Sequence, residues 1–346
     1  MSTRSLARKL VNAGLAAAAR RLPLALYRRV LPRSPVGFFY HAVSDKPLPH
    51  VQHLYPYKSA LGFESDLVYL KTHFSPIGYP ALKNHFESGA PLPHNAAFIS
   101  FDDGFSVCHS VARPLLNRHR VPAIFFLTTD WIDNRGMYYR SVISLVIDRL
   151  IRPGQEDGLR ALDALAREVD PAIPSGGIQS AIAWLLQRGP GDGPLLAAIC
   201  DRLEIDIPGY LQSQRPFLSM AQIRDLQADG FTIGAHSRSH AKLMDLPEEA
   251  QREEIAESCR IICELTGADQ APFAFPFSGH RVDRAMLADL RRAHPHVGLI
   301  FDTKKLERDL PFIFNRIMVD RPVPGVADEK NLAFWLQDAY ARQVRV

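Results

Sequence analysis

The chain has 346 residues, of which 47% are hydrophobic, 23% charged and 9% aromatic, a balance that excludes a disordered, collagen-like or coiled-coil protein. At roughly 100–200 residues per domain, the length allows one large domain or two modest ones. The net charge of +4 is uneven: eight of the 41 basic residues (Arg4, Arg8, Lys9, Arg20, Arg21, Arg28, Arg29 and Arg33) lie in residues 1–33, which hold no acid, and the remainder carries 33 bases against 37 acids.

In chain order, the first segment has no apolar run near the ~20 residues that span a bilayer, because Leu10 to Ala19 is interrupted by Asn12 and Gly14. Residues 1–33 instead read as a basic amphipathic segment, with Leu6, Leu10, Gly14, Ala17 and Ala18 near one face, suited to an anionic membrane surface. A secretory signal ending near Ala19 and a solvated helix packed on its own domain are the other readings. The cellular location is accordingly open, cytoplasmic or peripheral on the inner membrane in one reading and secreted or periplasmic in the other.

Apolar runs rich in β-branched and aromatic residues then alternate with segments of helical period. Strands are expected over Val36–Val43, Ala96–Phe101, Pro122–Thr128, Phe231–Ala235, Pro272–Phe277, Val297–Phe301 and Phe312–Val319. Helices are expected over Phe63–Phe74, Ser106–His119, Met220–Ala228, Pro247–Leu265, Val282–His294 and Leu332–Val344. Continuous apolar strands alternating with helices mean a parallel sheet covered by helices. This many units predicts a closed α/β barrel over residues 34–346, with a doubly wound open sheet as the alternative. Between about 136 and 216 the alternation fails and helical pieces (Ser141–Leu150, Leu159–Val169, Ile178–Leu186, Leu195–Leu203) are separated by Pro/Gly joints, which reads as a helical insertion between two strands. Its place suggests a wall or lid over a substrate cleft.

Three stretches put reactive groups at strand ends, where barrels deliver them. Phe101-Asp102-Asp103-Gly104 ends a buried strand with two adjacent carboxylates, an unfavourable pair unless a cation or a shared proton relieves it; a plain helix-entry turn is the simpler reading of these four residues alone. His236-Ser237-Arg238-Ser239-His240 follows the strand FTIGA, and two imidazoles four apart plus one carboxylate can form an open metal site. Phe273 to His280 carries Pro276 into a turn able to fix a backbone N–H toward an oxyanion. The cysteines Cys108, Cys200, Cys259 and Cys263 show no CxxC spacing and read as reduced thiols.

Taken in order, FDDG, HSRSH and FPFSG resemble the motifs of the polysaccharide deacetylase family, also known as the NodB-homology group or carbohydrate esterase family four. Tyr40-His41-Ala42-Val43 resembles the Tyr-His strand that opens one branch of it, and Ala112-Arg113-Pro114-Leu115-Leu116 and Gly230 to His236 are similar to its lead-ins. The resemblance covers residues 36–135 and 217–320. It implies a distorted (β/α) barrel and a metal-dependent deacetylase that removes the N-acetyl group of an amino sugar in a polysaccharide or lipid-linked glycan. Asp103, His236 and His240 would hold a divalent metal, Zn2+ by analogy, and Asp102 would be the general base. The backbone N–H of Phe277 would contribute to the oxyanion site.

Two departures stand out. The arginine that many members carry two residues before the third-motif proline is Ala274 here, and Arg316, on the last expected strand, is the candidate replacement. The late Leu-x-His that supplies a general acid is absent, so His41 is the candidate acid and His280 a rival. The other functional readings are a hydrolase of small amides or imides, a catalytically impaired glycan-binding protein and a two-His-one-carboxylate iron oxygenase, in which the second aspartate has no role. Nucleic acid is not expected as a partner, since the basic residues are confined to the first segment.

Overall fold

A computed structural model describes residues 35–152, 154, 156–169 and 177–343; the segment 1–33, expected on a membrane surface, lies outside them. The strands are β1 (Val36–Tyr40), β2 (Ser75–Pro76), β3 (Ala96–Phe101), β4 (Ala123–Leu127), β5 (Thr232–Ala235), β6 (Ala271–Ala274), β7 (Val297–Asp302) and β8 (Ile313–Met318). Every ladder between them is parallel. The order β1-β8-β7-β6-β5-β4-β3, with β1 pairing back to β3, closes seven strands into a barrel, and the short β2 borders the start of β3. The closed barrel, not the open doubly wound sheet, is therefore the architecture.

The sequence closes this way because its strands are apolar on both faces. All residues of β1, β3 and β4 are buried, and alternate residues divide between two layers. Inside the barrel Phe301 meets Phe98 at 5.5 Å, Phe126 at 5.1 Å and Phe314 at 5.9 Å between ring centroids. On the outside Phe101 stacks on Phe125 at 5.0 Å and meets Phe63 of the first helix at 5.6 Å. Each such ring contributes about 1.5–3 kcal/mol through burial. Gly37 in β1 is required by this packing, since a Cβ there would lie 2.4 Å from Phe98 Cζ and 3.0 Å from Arg316 Cγ.

The helices are α1 (Ala60–His73), α2 (Tyr79–Ser88), α3 (Arg113–His119), α4 (Tyr139–Leu150), α5 (Glu156–Val169), α6 (Gly177–Leu185), α7 (Gly193–Arg202), α8 (Ile207–Gln214), α9 (Met220–Ala228), α10 (Glu248–Thr266), α11 (Arg284–Ala293) and α12 (Asp328–Gln343). Helix α9 starts where a reciprocal cap forms: Gln222 N–H donates to Ser219 Oγ and Ser219 N–H to Gln222 Oε1. Helix α10 stops at Gly267, whose φ of 72° is left-handed. No helix of the described residues is long and apolar enough to cross a membrane.

Several boundaries differ from expectation for local reasons. The strand expected over Val36–Val43 ends at Tyr40, and beyond it Val43 makes only an isolated bridge to Lys58. The helix expected from Ser106 opens instead as a π-helical turn, Cys108–Ala112, before α3. Helix α2 was not expected; with only Tyr79 and Leu82 buried it has little apolar period, although Gly78 and Gly89 bracket it.

Helices α4 to α8 lie between β4 and β5 and share a core of their own, built on Ile143, Val146, Ile147, Trp184, Leu185 and Leu196. Polar contacts tie this group to the loop after β1: Ser144 Oγ donates to the Pro49 carbonyl at 2.6 Å, Gln52 Nε2 to Asp148 Oδ1 at 2.7 Å, and His50 Nδ1 lies 2.9 Å from the Tyr210 hydroxyl.

Candidate active site

The three motifs leave the C-terminal ends of β3, β5 and β6, and parallel closure brings them together. Immediately beyond β3, Asp102 keeps the strand direction, its N–H donating to the Tyr40 carbonyl at 2.9 Å. Asp103 turns with φ 70° and Gly104 with φ 77°, so the two adjacent carboxylates point to different neighbours.

Asp103 is buried and faces two imidazoles. Its Oδ1 lies 3.3 Å from His236 Nε2 and 3.0 Å from His240 Nε2, while Oδ2 accepts from the Tyr55 hydroxyl at 3.2 Å. His236 is oriented by its other nitrogen, as Nδ1 sits 2.9 Å from the Ala274 carbonyl; donating there leaves the Nε2 lone pair toward Asp103. His240, at φ 63°, is held by its N–H to Ser237 Oγ at 2.9 Å. Its ring lies against those of Trp131, Tyr138 and Phe277 at 5.2, 4.6 and 5.2 Å. Burial lowers the pKa of His240 against the pull of Asp103, which favours the neutral ring. Burial alone would raise the Asp103 carboxyl, but His240 and His236 hold it well below the usual carboxylate range.

These residues fit a divalent metal. One ligand atom from each lies within 4.8 Å of the others, and spacings of 3.0–3.3 Å approximate the edge of a tetrahedron with bonds of ~2.0–2.1 Å. Asp103 Oδ1 is buried without a hydrogen-bond donor, a cost that a cation would remove. Two neutral imidazoles and a carboxylate are a donor set suited to zinc.

Asp102 has a different partner. Arg316 of β8 is fully buried and grips it with both ends of the guanidinium, Nη1 to Oδ1 at 2.6 Å and Nη2 to Oδ2 at 2.9 Å. Nη1 also donates to Ser100 Oγ at 2.8 Å, and the guanidinium carbon sits 4.6 Å over Phe39 and 5.1 Å over Phe126. A fork on a carboxylate fixes its plane as a point charge does not.

His41 follows β1 and is 18% exposed. Because Phe39 pairs with Met318 across β1 and β8, the register brings His41 opposite Asp320. There Asp320 accepts from the His41 backbone N–H at 2.8 Å, and its other oxygen lies 2.6 Å from Nδ1. Burial would lower the pKa of this imidazole, but Asp320, with smaller contributions from Asp103 and Asp102, raises it from 6.5 to about 9. The Tyr55 ring, 5.0 Å from that of His41, joins it to the Asp103 group.

The strand expected over Pro272–Phe277 ends at Ala274. Pro276 has no N–H to continue a ladder, and Phe277 adopts φ 60° with its side chain 41% exposed. Its carbonyl accepts from Thr303 Oγ1 at 2.9 Å, and Asp302 Oδ1 takes the Gly279 N–H at 2.9 Å, so this turn is held from β7. The Phe277 N–H has no hydrogen-bond partner among the described residues. His280 is exposed on the same loop.

Sequence reasoning missed Tyr55, Trp131, Tyr138, Asp320 and Glu254. Glu254 on α10 accepts the N–H groups of Arg238 and Ser239 at 2.8 and 3.0 Å and the Ser239 hydroxyl at 2.7 Å, which fixes the loop between the two histidines. The only signal for Asp320 was its place immediately after the last expected strand.

A family model described as polysaccharide deacetylase matches residues 194–294. That span includes His236, His240 and Phe277 but not Asp102, Asp103 or Arg316, which only the fold brings to the same place. Among solved structures, IcaB from Ammonifex degensii superposes with a TM-score of 0.54 at 16% identity, covering 90% of this chain and 98% of that one. The deacetylase PplD of Streptococcus pyogenes, solved with acetate, gives 0.53 at 13%, covering 88% and 98%. A de-N-acetylase from Aggregatibacter actinomycetemcomitans gives 0.51 at 14%, covering 82% and 94%. At these identities the likeness concerns the fold. No curated protein sequence matches the chain.

Proposed function

We propose that this chain, in which a polysaccharide deacetylase family model matches residues 194–294, is a metal-dependent hydrolase that removes the N-acetyl group of an amino sugar within a glycan. The observation that carries this reading is the division of labour between adjacent carboxylates, Asp103 on two imidazoles and Asp102 on a buried arginine. A glycan-binding protein needs no carboxylate held beside a metal ligand.

Asp103, His236 and His240 would hold the cation, taken to be Zn2+. When bound, it supplies Lewis-acid polarisation of the acyl oxygen and a lowered pKa for nearby water. Asp102, kept in plane by Arg316, takes the proton of the attacking water as the oxygen adds to the acetamido carbon. The Phe277 N–H donates to the oxygen that gains charge. His41, protonated and backed by Asp320, gives its proton to the sugar nitrogen as the C–N bond breaks, so that acetate and a free amine leave. Tyr138, immediately before α4, sets its ring against that of His240, and helices α4 to α8 behind it would wall one side of the substrate cleft.

Acetate release from N-acetylglucosamine oligomers, measured beside metal content, tests this. Activity that disappears with chelation and returns with Zn2+ is expected. A purified protein without metal that still releases acetate would refute the mechanism.

A further inference from the structure

We propose that a half-open groove among α4, α7 and α8 is a second binding site, for an uncharged hydrocarbon group carried by the substrate. The idea rests on the hydrolase reading above and extends it to what the sugar is attached to.

Its chemistry comes first. The groove has a volume of about 430 Å³, within the ~300–1,000 Å³ of small-molecule pockets. Val142, Leu196, Ile205 and Ile207 line it with carbon, and Cys200 adds a thiol that burial pushes up to about 11 and so keeps neutral. Its charged lining residues are Asp201 and Asp206, the latter already accepting the Gly209 N–H at 2.9 Å; no Lys or Arg lines it. A phosphate or carboxylate would therefore meet two carboxylates and no counter-charge, whereas an alkyl chain would exchange water for carbon.

Its position links it to the reaction. Met137, at one end, packs with the barrel core, and Val142, beside it, with the separate core of the helices, so the groove lies where the two cores meet. Between groove and metal site stand two rings in sequence. Tyr139 lines the groove and meets Tyr138 at 4.5 Å, and Tyr138 meets His240 at 4.6 Å. A sugar whose acetamide reaches Asp103 and His240 can lay an apolar substituent along this wall.

The test compares methyl and octyl glycosides of N-acetylglucosamine, below the micelle-forming concentration, as substrates of the full chain. The octyl compound is expected to show a KM at least about tenfold lower, because its added methylenes would leave water for the groove. Ala197, exposed on the groove rim, is changed to Trp to fill the groove. Ala197→Glu, which adds a third carboxylate, serves if the first variant does not fold. Either should bring the two KM values within about twofold of each other. Calorimetric titration with octyl glucoside, which has no acetamide, reads the groove without the chemistry. Saturable binding lost in the Ala197 variants supports the groove even if neither the glycosides nor N-acetylglucosamine oligomers release acetate, a result that would sink the hydrolase reading alone. Acetate release without octyl preference and without octyl glucoside binding overturns the groove and leaves the hydrolase standing.

Discussion

Replacing Asp320 with Asn isolates the charge behind His41. The amide keeps an oxygen for the His41 backbone N–H and can donate to a neutral Nδ1, so both contacts of 2.8 and 2.6 Å retain a partner and only the carboxylate charge is lost. A folded pKa of about 9 against 6.5 corresponds to ~3 kcal/mol of preference for the protonated ring. Because the folded value is raised, that stability is fully present below pH 6.5 and is lost as pH rises through about 9. Asp320→Asn should therefore unfold about 2–3 kcal/mol more easily at pH 6 and approach the parent above pH 9. Urea denaturation at pH 6, 7.5 and 9 measures this difference. The same variant should lose deacetylation on the alkaline side first, its upper pH limb moving from near 9 toward 6.5, as expected of an acid that must enter the cycle protonated. Parallel stability curves and an unmoved upper limb would refute both the charge argument and the role of His41.

Asp102→Asn should lower kcat by about 10²–10⁴ with KM and bound metal little changed, since Asp103 and the imidazoles are untouched; steady-state kinetics with elemental analysis would show it. In His236→Ala, metal content should fall to near zero by the same elemental analysis, and activity with it. Arg316→Met leaves Asp102 buried without its counter-charge and should destabilise the fold by about 3–5 kcal/mol, read by urea midpoint; a change below 1 kcal/mol would mean that the carboxylate finds another partner. Gly37→Val should cost stability comparably, because the added atoms meet Phe98 in a close-packed interior.

What the sequence discloses depends on how local each cause is. Strand β3 was legible to the residue because an unbroken apolar run ends at two aspartates, and α9 because its cap residues, Ser219 and Gln222, are three apart. Arg316 was legible as the one charge in the last expected strand, whose only other polar residue is Asn315. Asp320, 279 residues from the ring it touches, has no such local mark, since pairing of β1 with β8 alone creates the contact. Glu254 is hidden differently: it sits in a helix among Glu249, Glu253 and Glu257, and only the docking of the His236–His240 loop makes it unlike them. The strand before Phe277 was read three residues too long because its apolar residues continue; Pro276 marks the turn in the sequence, whereas the left-handed φ of Phe277 has no such mark.

The pairing of the first strand with both β3 and the last has a consequence for when the protein becomes an enzyme. The proposed general base is present by residue 102, yet its arginine arrives at residue 316 and the carboxylate behind His41 at residue 320. A chain emerging from the ribosome thus carries Asp103, His236 and His240, the proposed metal ligands, before the barrel can shut. On the proposed roles, a fragment that stops short of β8 lacks both the arginine that orients Asp102 and the carboxylate behind His41. Barrel closure, which protects the sheet edges, would therefore also be the step that completes the proposed site.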